Sequence, residues 1–136
     1  MSRALHETPY FRVEVTRHDG VDVLRVTRTE APYPTLEIAE EQMRRLGQVV
    51  NQGARAETPA LVDLRAARGR NDDGFERVMG AVQRTLFTRR ARGAFLVRTV
   101  IGRMQVERQL RTLGEFGVRV FDDEDAALAY LTGGAA

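Results

Sequence analysis

The stretch from Leu61 to Val78, LVDLRAARGRNDDGFERV, contains the unit from which the fold can be inferred. It opens with an apolar segment that follows Pro59 and ends at Asp63, a pattern typical of a strand covered on both faces. A loop rich in arginine follows. Beyond it, apolar residues recur at helical spacing: Phe75, Val78, Met79, Val82 and Leu86. A strand, a loop and a helix in direct succession form the repeating unit of an α/β sheet.

The segments before this unit predict a hairpin and a helix. FRVEVTR at 11–17 and VDVLRVTR at 21–28 alternate apolar and polar residues, with Asp19-Gly20 between them, which is a hairpin signal. After Pro34 and Thr35, a helical apolar stripe ends near Gly53. The stripe comprises Leu36, Ala39, Met43, Leu46 and Val50.

The segments after the unit repeat the alternation of strand and helix. AFLVRTV at 94–100 predicts a strand, and a helix is predicted from Gly102, with Val106, Leu110 and Leu113 aligned. VRVF at 118–121 predicts the last strand. The carboxylates of 122–125 suit the first turn of a final helix, in which Leu128 and Leu131 point inward.

This order, ββαβαβαβα, predicts a single α/β domain. Parallel strands need crossover connections, so we expect a mostly parallel, mixed sheet of about five strands with about four helices. The domain is expected to span residues 11–132, with a flexible N-terminus at 1–10 and a flexible tail at 133–136.

The amino-acid composition excludes disulfides, thiolate metal sites and cysteine nucleophiles. The 136-residue chain has no Cys, and all 21 basic residues are Arg. The net charge is +2, but residues 65–114 hold 12 Arg against 4 acidic residues. His6 and His18 are too far apart in the sequence to form a helical metal pair, so we expect no metal site and no cofactor. The chain lacks a signal peptide and a run of apolar residues long enough to span a bilayer, which predicts a cytoplasmic protein without membrane insertion.

Several phrases together resemble STAS domains, the sulfate transporter and anti-sigma factor antagonist family, in their stand-alone bacterial, sporulation-antagonist-like branch. They are VDLR before a short loop and helix, AFLVRTV before GRMQVERQL, and the closing VRVFDDEDAALAYL. The resemblance covers roughly residues 11–132. It implies a non-enzymatic regulatory module that binds a partner protein through the loop and helix start at 65–77. The residues so implicated are Arg65, Arg68, Arg70, Asn71, Asp72, Asp73 and Arg77.

The resemblance also implies a position for a phosphorylated serine. In the anti-sigma factor antagonists, the helix begins with a phosphorylatable Ser in an Asp-Ser-Ser-Gly-like phrase. The equivalent phrase here is Asn71-Asp72-Asp73-Gly74, which places Asp72 at the phosphoacceptor position. The only Ser is Ser2, and no Thr lies between Thr58 and Thr85. A Ser/Thr phosphoswitch in this loop is therefore not expected.

Three interpretations of Asp72 and Asp73 remain open. They can cap the helix, with Glu76 completing a capping-box-like pair. They can imitate the phosphorylated state of a relative, although a carboxylate carries only one charge. General acid–base catalysis would need a paired group with a shifted pKa, and no His or Ser nucleophile is near. Arg65, Arg68 and Arg70 could bind phosphate, but we favour their pairing with the loop carboxylates.

Two other functions compete with the interaction module. The stand-alone branch also looks similar to CRAL-TRIO-type lipid carriers, and the apolar residues of AFLVRTVIG could line a cavity for a small apolar ligand. Binding of an anionic polymer, including nucleic acid, ranks below both. It would use Arg77, Arg84, Arg89, Arg90 and Arg92. A homodimer through the edge of the opening hairpin is also left open.

Overall fold

The architecture is one mixed sheet with helices on both faces. The computed structural model describes residues 2–55, 57–67, 92–113 and 117–133. Within them, the strands are β1 (Ser2–Glu7), β2 (Phe11–His18), β3 (Val21–Arg28), β4 (Ala60–Asp63), β5 (Gly93–Leu96) and β6 (Val118–Phe121). The helices are α1 (Leu36–Gly53), α2 (Val100–Leu113) and α3 (Glu124–Thr132).

The strands lie in the sheet in the order of the sequence, from β1 to β6. β1, β2 and β3 pair antiparallel, and β3 to β6 pair parallel. At the turn between β2 and β3, Asp19 has φ 51° and Gly20 has φ 78°. Positive φ at both central residues is the geometry that Asp-Gly favours, because it matches the twist of the two strands. The predicted hairpin and the α/β class are confirmed.

The first strand is a correction to the sequence analysis. Residues 2–7 were expected to belong to a flexible N-terminus, but they form β1 and pair with β2, with a bulge between Ala4 and His6. Leu5 packs against the core and Arg3 Nη2 donates to Gly53 O at 3.2 Å. Tertiary contacts therefore stabilise this strand, and its sequence shows no alternation of apolar and polar residues that would have predicted it. It raises the number of strands from about five to six.

The two faces of the sheet carry separate hydrophobic clusters. On one face, α1 and α2 cover a cluster that includes Phe11, Val26, Leu46, Phe95 and Val106. On the other face, α3 covers a smaller cluster that includes Val23, Leu61, Leu96, Ala127 and Leu131. All four residues of β4 are buried, as expected for a strand covered on both faces.

The positions of α1 and α3 agree with the predictions, whereas α2 begins earlier than predicted. The Thr35 side chain caps α1 by accepting from Ile38 N at 3.2 Å. α2 begins at Val100 rather than at Gly102, and β5 ends at Leu96 rather than continuing to Val100. The Thr99 hydroxyl accepts from Gly102 N at 2.9 Å and so caps the start of α2. The prediction had instead assigned Thr99 to the strand. The predicted helix over Phe75–Leu86 lies outside the described residues. Among the described helices, no segment has the length and apolarity needed to cross a membrane.

Candidate functional site

The carboxyl edge of the parallel strands is where the loop of interest begins. Parallel strands all end at the same edge of a sheet, and in open α/β sheets this edge is where binding sites form. Here β4 ends at Asp63, the residue before the loop, and α3 begins nearby at Glu124. Two arginines connect these elements, Arg25 from β3 and Arg65 from the loop. We refer to Arg25, Asp63, Arg65 and Glu124 as the Asp63 cluster.

Asp63 is the centre of this cluster. It is only 5% exposed, and it is the one charged residue that is buried in the described part of the chain. Its Oδ1 accepts from Arg65 N at 3.0 Å and from Arg65 Nε at 3.1 Å. Its Oδ2 accepts from Arg25 Nη2 and Arg65 Nη2, both at 2.9 Å. Each oxygen of the buried carboxylate therefore accepts two hydrogen bonds, which offsets the cost of removing it from water.

Glu124 links the cluster to α3. Its Oε1 accepts from Arg25 Nη2 at 2.6 Å and from Arg65 Nη2 at 2.9 Å. The helix is capped by Asp123 instead, whose side chain accepts from Ala126 N at 3.0 Å. Because Asp123 caps the helix, Glu124 is available for the two arginines. The cluster thus joins β3, β4, the loop start and the first turn of α3.

The electrostatics of the cluster hold both carboxylates in the ionised form. Burial alone would raise the pKa of Asp63, but the hydrogen bonds from Arg65 and Arg25 outweigh it, and the net pKa lies below the ordinary value. The hydrogen bond from Arg25 likewise lowers the pKa of Glu124. The hydrogen bond to Asp63 raises the pKa of Arg65.

These shifts limit what the cluster can do chemically. A general acid or base works best with a pKa near the working pH, and both carboxylates are shifted away from neutrality. Two arginines and two carboxylates also balance in charge. Among the described residues, no group of three or more His, Asp or Glu side chains could hold a metal ion. The Asp63 cluster is therefore suited to fixing the position of the loop start rather than to acid–base catalysis.

Of the residues predicted to contact a partner, the structure describes Arg65. Its side chain is 41% exposed although it pairs with both Asp63 and Glu124, so it is anchored to the cluster and still partly accessible to solvent. The remaining predicted residues lie outside the described residues: Arg68, Arg70, Asn71, Asp72, Asp73 and Arg77. The partner-binding assignment consequently stays a prediction.

The residues considered for the competing functions are placed in part. Phe95, Leu96 and Val97, considered as cavity residues, are buried in the two core clusters. Of the arginines considered for anionic polymers, Arg92 is described, and its Nη1 donates to Tyr130 O while its guanidinium lies 5.2 Å from the centre of the Tyr130 ring. Arg77, Arg84, Arg89 and Arg90 lie outside the described residues.

Sequence reasoning identified Asp63 and Arg65 but missed Arg25 and Glu124. Arg25 lies between Leu24 and Val26 on β3, so its side chain is expected on the face of the sheet opposite to theirs. The pattern does not indicate which residue it contacts there. Glu124 was attributed to helix-start charge. Arg25 and Asp63 are 38 positions apart in sequence, and Arg25 and Glu124 are 99 apart. An Arg between core residues on a predicted strand was the available signal.

Comparison with known proteins supports the fold. No protein-family model matches the chain, and no curated protein matches it. Among solved structures, an uncharacterised protein of the DUF3478 family with a SpoIIAA-like fold, from Shewanella loihica PV-4, matches with a TM-score of 0.66 and 14% identity. The match covers 90% of this chain and 94% of that one.

A second solved structure is an anti-sigma factor antagonist from Mycobacterium paratuberculosis. It matches with a TM-score of 0.54 and 18% identity, and the match covers 94% of this chain and 99% of that one. Both matches extend over nearly the full length of each chain, so the likeness concerns the complete domain rather than a shared substructure. The chain therefore has a SpoIIAA-like fold.

Proposed function

We propose that the protein is a non-enzymatic regulatory module that binds a partner protein through the loop and helix start at 65–77. The observation that carries the proposal is the Asp63 cluster, which anchors the first residue of this loop to β3, β4 and α3 while leaving the Arg65 side chain 41% exposed. Binding residues are often on loops that a rigid scaffold positions.

The fold likeness gives independent support. A protein with a similar fold is an anti-sigma factor antagonist, a regulator rather than an enzyme by its name. The cluster also lacks a carboxyl group with a pKa near neutrality, since both pKa values are lowered. Binding without a Ser/Thr switch in the loop fits the sequence, because the resemblance to STAS domains implies that Asp72 stands at the position of the phosphorylated Ser.

The test is a measurement of affinity with loop variants. A tagged copy is expressed in the native host, its most abundant partner is identified and purified, and the dissociation constant is measured by calorimetry. We expect the double variant Arg68→Ala, Arg70→Ala to bind at least about tenfold more weakly than wild type, as for loss of a central contact. Asp72→Ser is measured in parallel, because it restores the family's phosphoacceptor residue.

A matched control is Arg44→Ala. Arg44 lies on α1, its side chain is 58% exposed, and it pairs with Glu41. This variant removes an exposed arginine elsewhere and should bind with unchanged affinity. If Arg68→Ala, Arg70→Ala and Asp72→Ser all bound the partner as wild type does, the assignment of the site to 65–77 would be wrong.

A further inference from the structure

The first turn of α2 carries an exposed apolar patch. Val100 is 74% exposed, Ile101 68% and Met104 63%, and these are the large hydrophobic residues that the described part of the chain leaves exposed. Met104 follows Val100 by four positions, so the two side chains are neighbours along the helix surface. Apolar side chains gathered in one place, rather than scattered singly, indicate an interaction site. We call Val100, Ile101 and Met104 the α2 patch.

The surroundings of the α2 patch are basic. Arg98, just before the helix, is exposed, and Arg103 lies within its first turns. Residues 98–113 contain four Arg and one Glu. Arg103 Nη2 lies 3.9 Å from Oδ1 of Asp122, whose side chain is 73% exposed. An exposed pair at this distance contributes little, so it leaves Arg103 able to interact with another carboxylate.

The α2 patch lies at the same edge of the sheet as the loop that begins at Arg65. Leu64 N donates to Leu96 O at 2.8 Å, so the chain leaving β4 runs beside the chain leaving β5. The segment after β5 leads directly into Val100. The α2 patch and the loop start therefore share one edge of the sheet, and a partner that binds both would lie across this edge.

We propose that the α2 patch docks a segment of the partner protein in which apolar side chains are flanked by carboxylates. The inference rests on the proposed function and specifies its partner. The apolar side chains of the segment cover Val100, Ile101 and Met104, and the carboxylates lie over Arg98 and Arg103. Aliphatic contact supplies the affinity of such an interface, and charge complementarity fixes its register and excludes basic partners.

Charge decides between this occupant and a second copy of the chain. In a two-fold symmetric dimer, the same surface meets itself, so the basic surroundings of the α2 patch would meet the same basic surroundings on the second copy. Like charges brought together in this way oppose association.

Charge also argues against an anionic membrane. A flat bilayer would bring negative headgroups over the exposed Asp122 as well as over the arginines. A folded partner can place carboxylates beside Arg98 and Arg103 and a different group beside Asp122, so an acidic protein segment is the better match.

The experiment uses the full chain and the purified partner. The double variant Ile101→Gln, Met104→Gln removes apolar contact while keeping good helix formers, and both side chains are exposed, so its thermal midpoint should match wild type. We expect it to bind the partner at least about tenfold more weakly. Arg98→Glu with Arg103→Glu should weaken binding similarly, and reversal of the facing carboxylates on the partner should restore it.

A photo-crosslinker at Ile101 identifies the occupant, with Gln48 on the exposed face of α1 as the control position. The expected product is a peptide of the partner that contains apolar residues beside Asp or Glu. Crosslinks to a second copy of this chain, or flotation with vesicles of phosphatidylcholine and phosphatidylserine, would overturn the proposed occupant.

The variants separate the two proposals. If Ile101→Gln, Met104→Gln binds as wild type while Arg68→Ala, Arg70→Ala does not, the patch is not part of the interface and the proposed function stands. If both double variants and Asp72→Ser bind as wild type, both proposals fail. If the patch variant alone loses affinity, the interface is centred on α2 and the loop assignment fails.

Discussion

Replacement of Asp63 by Asn is the most direct test of how the loop start is held. Asn has the shape of Asp, and its oxygen can still accept from Arg65 N, which Asp63 Oδ1 accepts at 3.0 Å. In place of Oδ2 it presents an NH₂ group, which faces two donors, Arg25 Nη2 and Arg65 Nη2, each at 2.9 Å in the wild type. The substitution therefore removes two hydrogen bonds between charged groups and introduces donors opposite donors.

The expected loss of stability in Asp63→Asn is large because the carboxylate is buried. Asp63 is 5% exposed, and a hydrogen bond to a charged group contributes about 1.5–3 kcal/mol. Breaking a buried ion pair costs about 3–5 kcal/mol. Glu124 still accepts from both arginines in the variant and is itself partly exposed, which reduces the loss. We expect Asp63→Asn to lower the free energy of unfolding by about 2–4 kcal/mol.

The effect should depend on pH in a defined direction. The folded protein lowers the pKa of Asp63 and of Glu124. A lowered pKa means that the unfolded chain binds more protons as the medium becomes acidic. The stabilisation is therefore complete above the ordinary carboxyl pKa values and is lost as the pH falls through the lowered ones. The difference in stability between wild type and Asp63→Asn should shrink below about pH 5.

The assay is urea unfolding followed by circular dichroism over a pH series. Asp22→Asn is the matched control, because Asp22 pairs with Arg17 at 2.9 Å but the two side chains are 55% and 60% exposed. Asp22→Asn should lower the free energy of unfolding by less than about 1 kcal/mol, as expected for an exposed ion pair. The role given to the cluster would be refuted if Asp63→Asn lowered the free energy of unfolding no more than Asp22→Asn does. It would also be refuted if the difference in stability between wild type and Asp63→Asn grew as the pH fell.

Two further substitutions test the hairpin and the core. Gly20→Ala should lower the free energy of unfolding, measured by urea unfolding, by about 1–2 kcal/mol. Gly20 has φ 78° and an added Cβ meets nothing within 4 Å, so the loss comes from backbone strain alone. An unchanged stability would contradict the turn geometry. Phe95→Ala should cost about 3–5 kcal/mol, because Phe95 is 0% exposed on an inner strand. Phe121→Ala on the edge strand β6 is its comparison, and an equal loss for both would show that burial in the central strands is not the cause.

The sequence was most informative where structure is local. Alternation and Asp19-Gly20 indicated the β2–β3 hairpin, and the stripe from Leu36 to Val50 indicated α1, whose bounds the structure gives as Leu36–Gly53. Both signals act within a few residues, because strand pleat and helix pitch repeat every two and about 3.6 positions. The α/β class followed from the succession of such segments.

The segment around α2 shows where local patterns stop being sufficient. The apolar run from Ala94 to Val97, with Val100 beyond it, favoured one long strand, yet β5 ends at Leu96 and Val100 begins a helix. Short apolar runs do not distinguish a buried strand from the start of a helix. The consequence is functional, because the apolar side chains assigned to a covered strand include Val100, which the structure leaves 74% exposed.

The sequence by itself determined the class of fold, most of the elements and the importance of the strand end at Asp63. Only the tertiary structure determined that Ser2–Glu7 joins the sheet, and that Arg25 and Glu124 meet Asp63. The physical reason is distance along the chain: these contacts depend on strand order and register, which no local periodicity encodes. Once strands β3 and β4 are paired in register, residues 38 positions apart become hydrogen-bond partners.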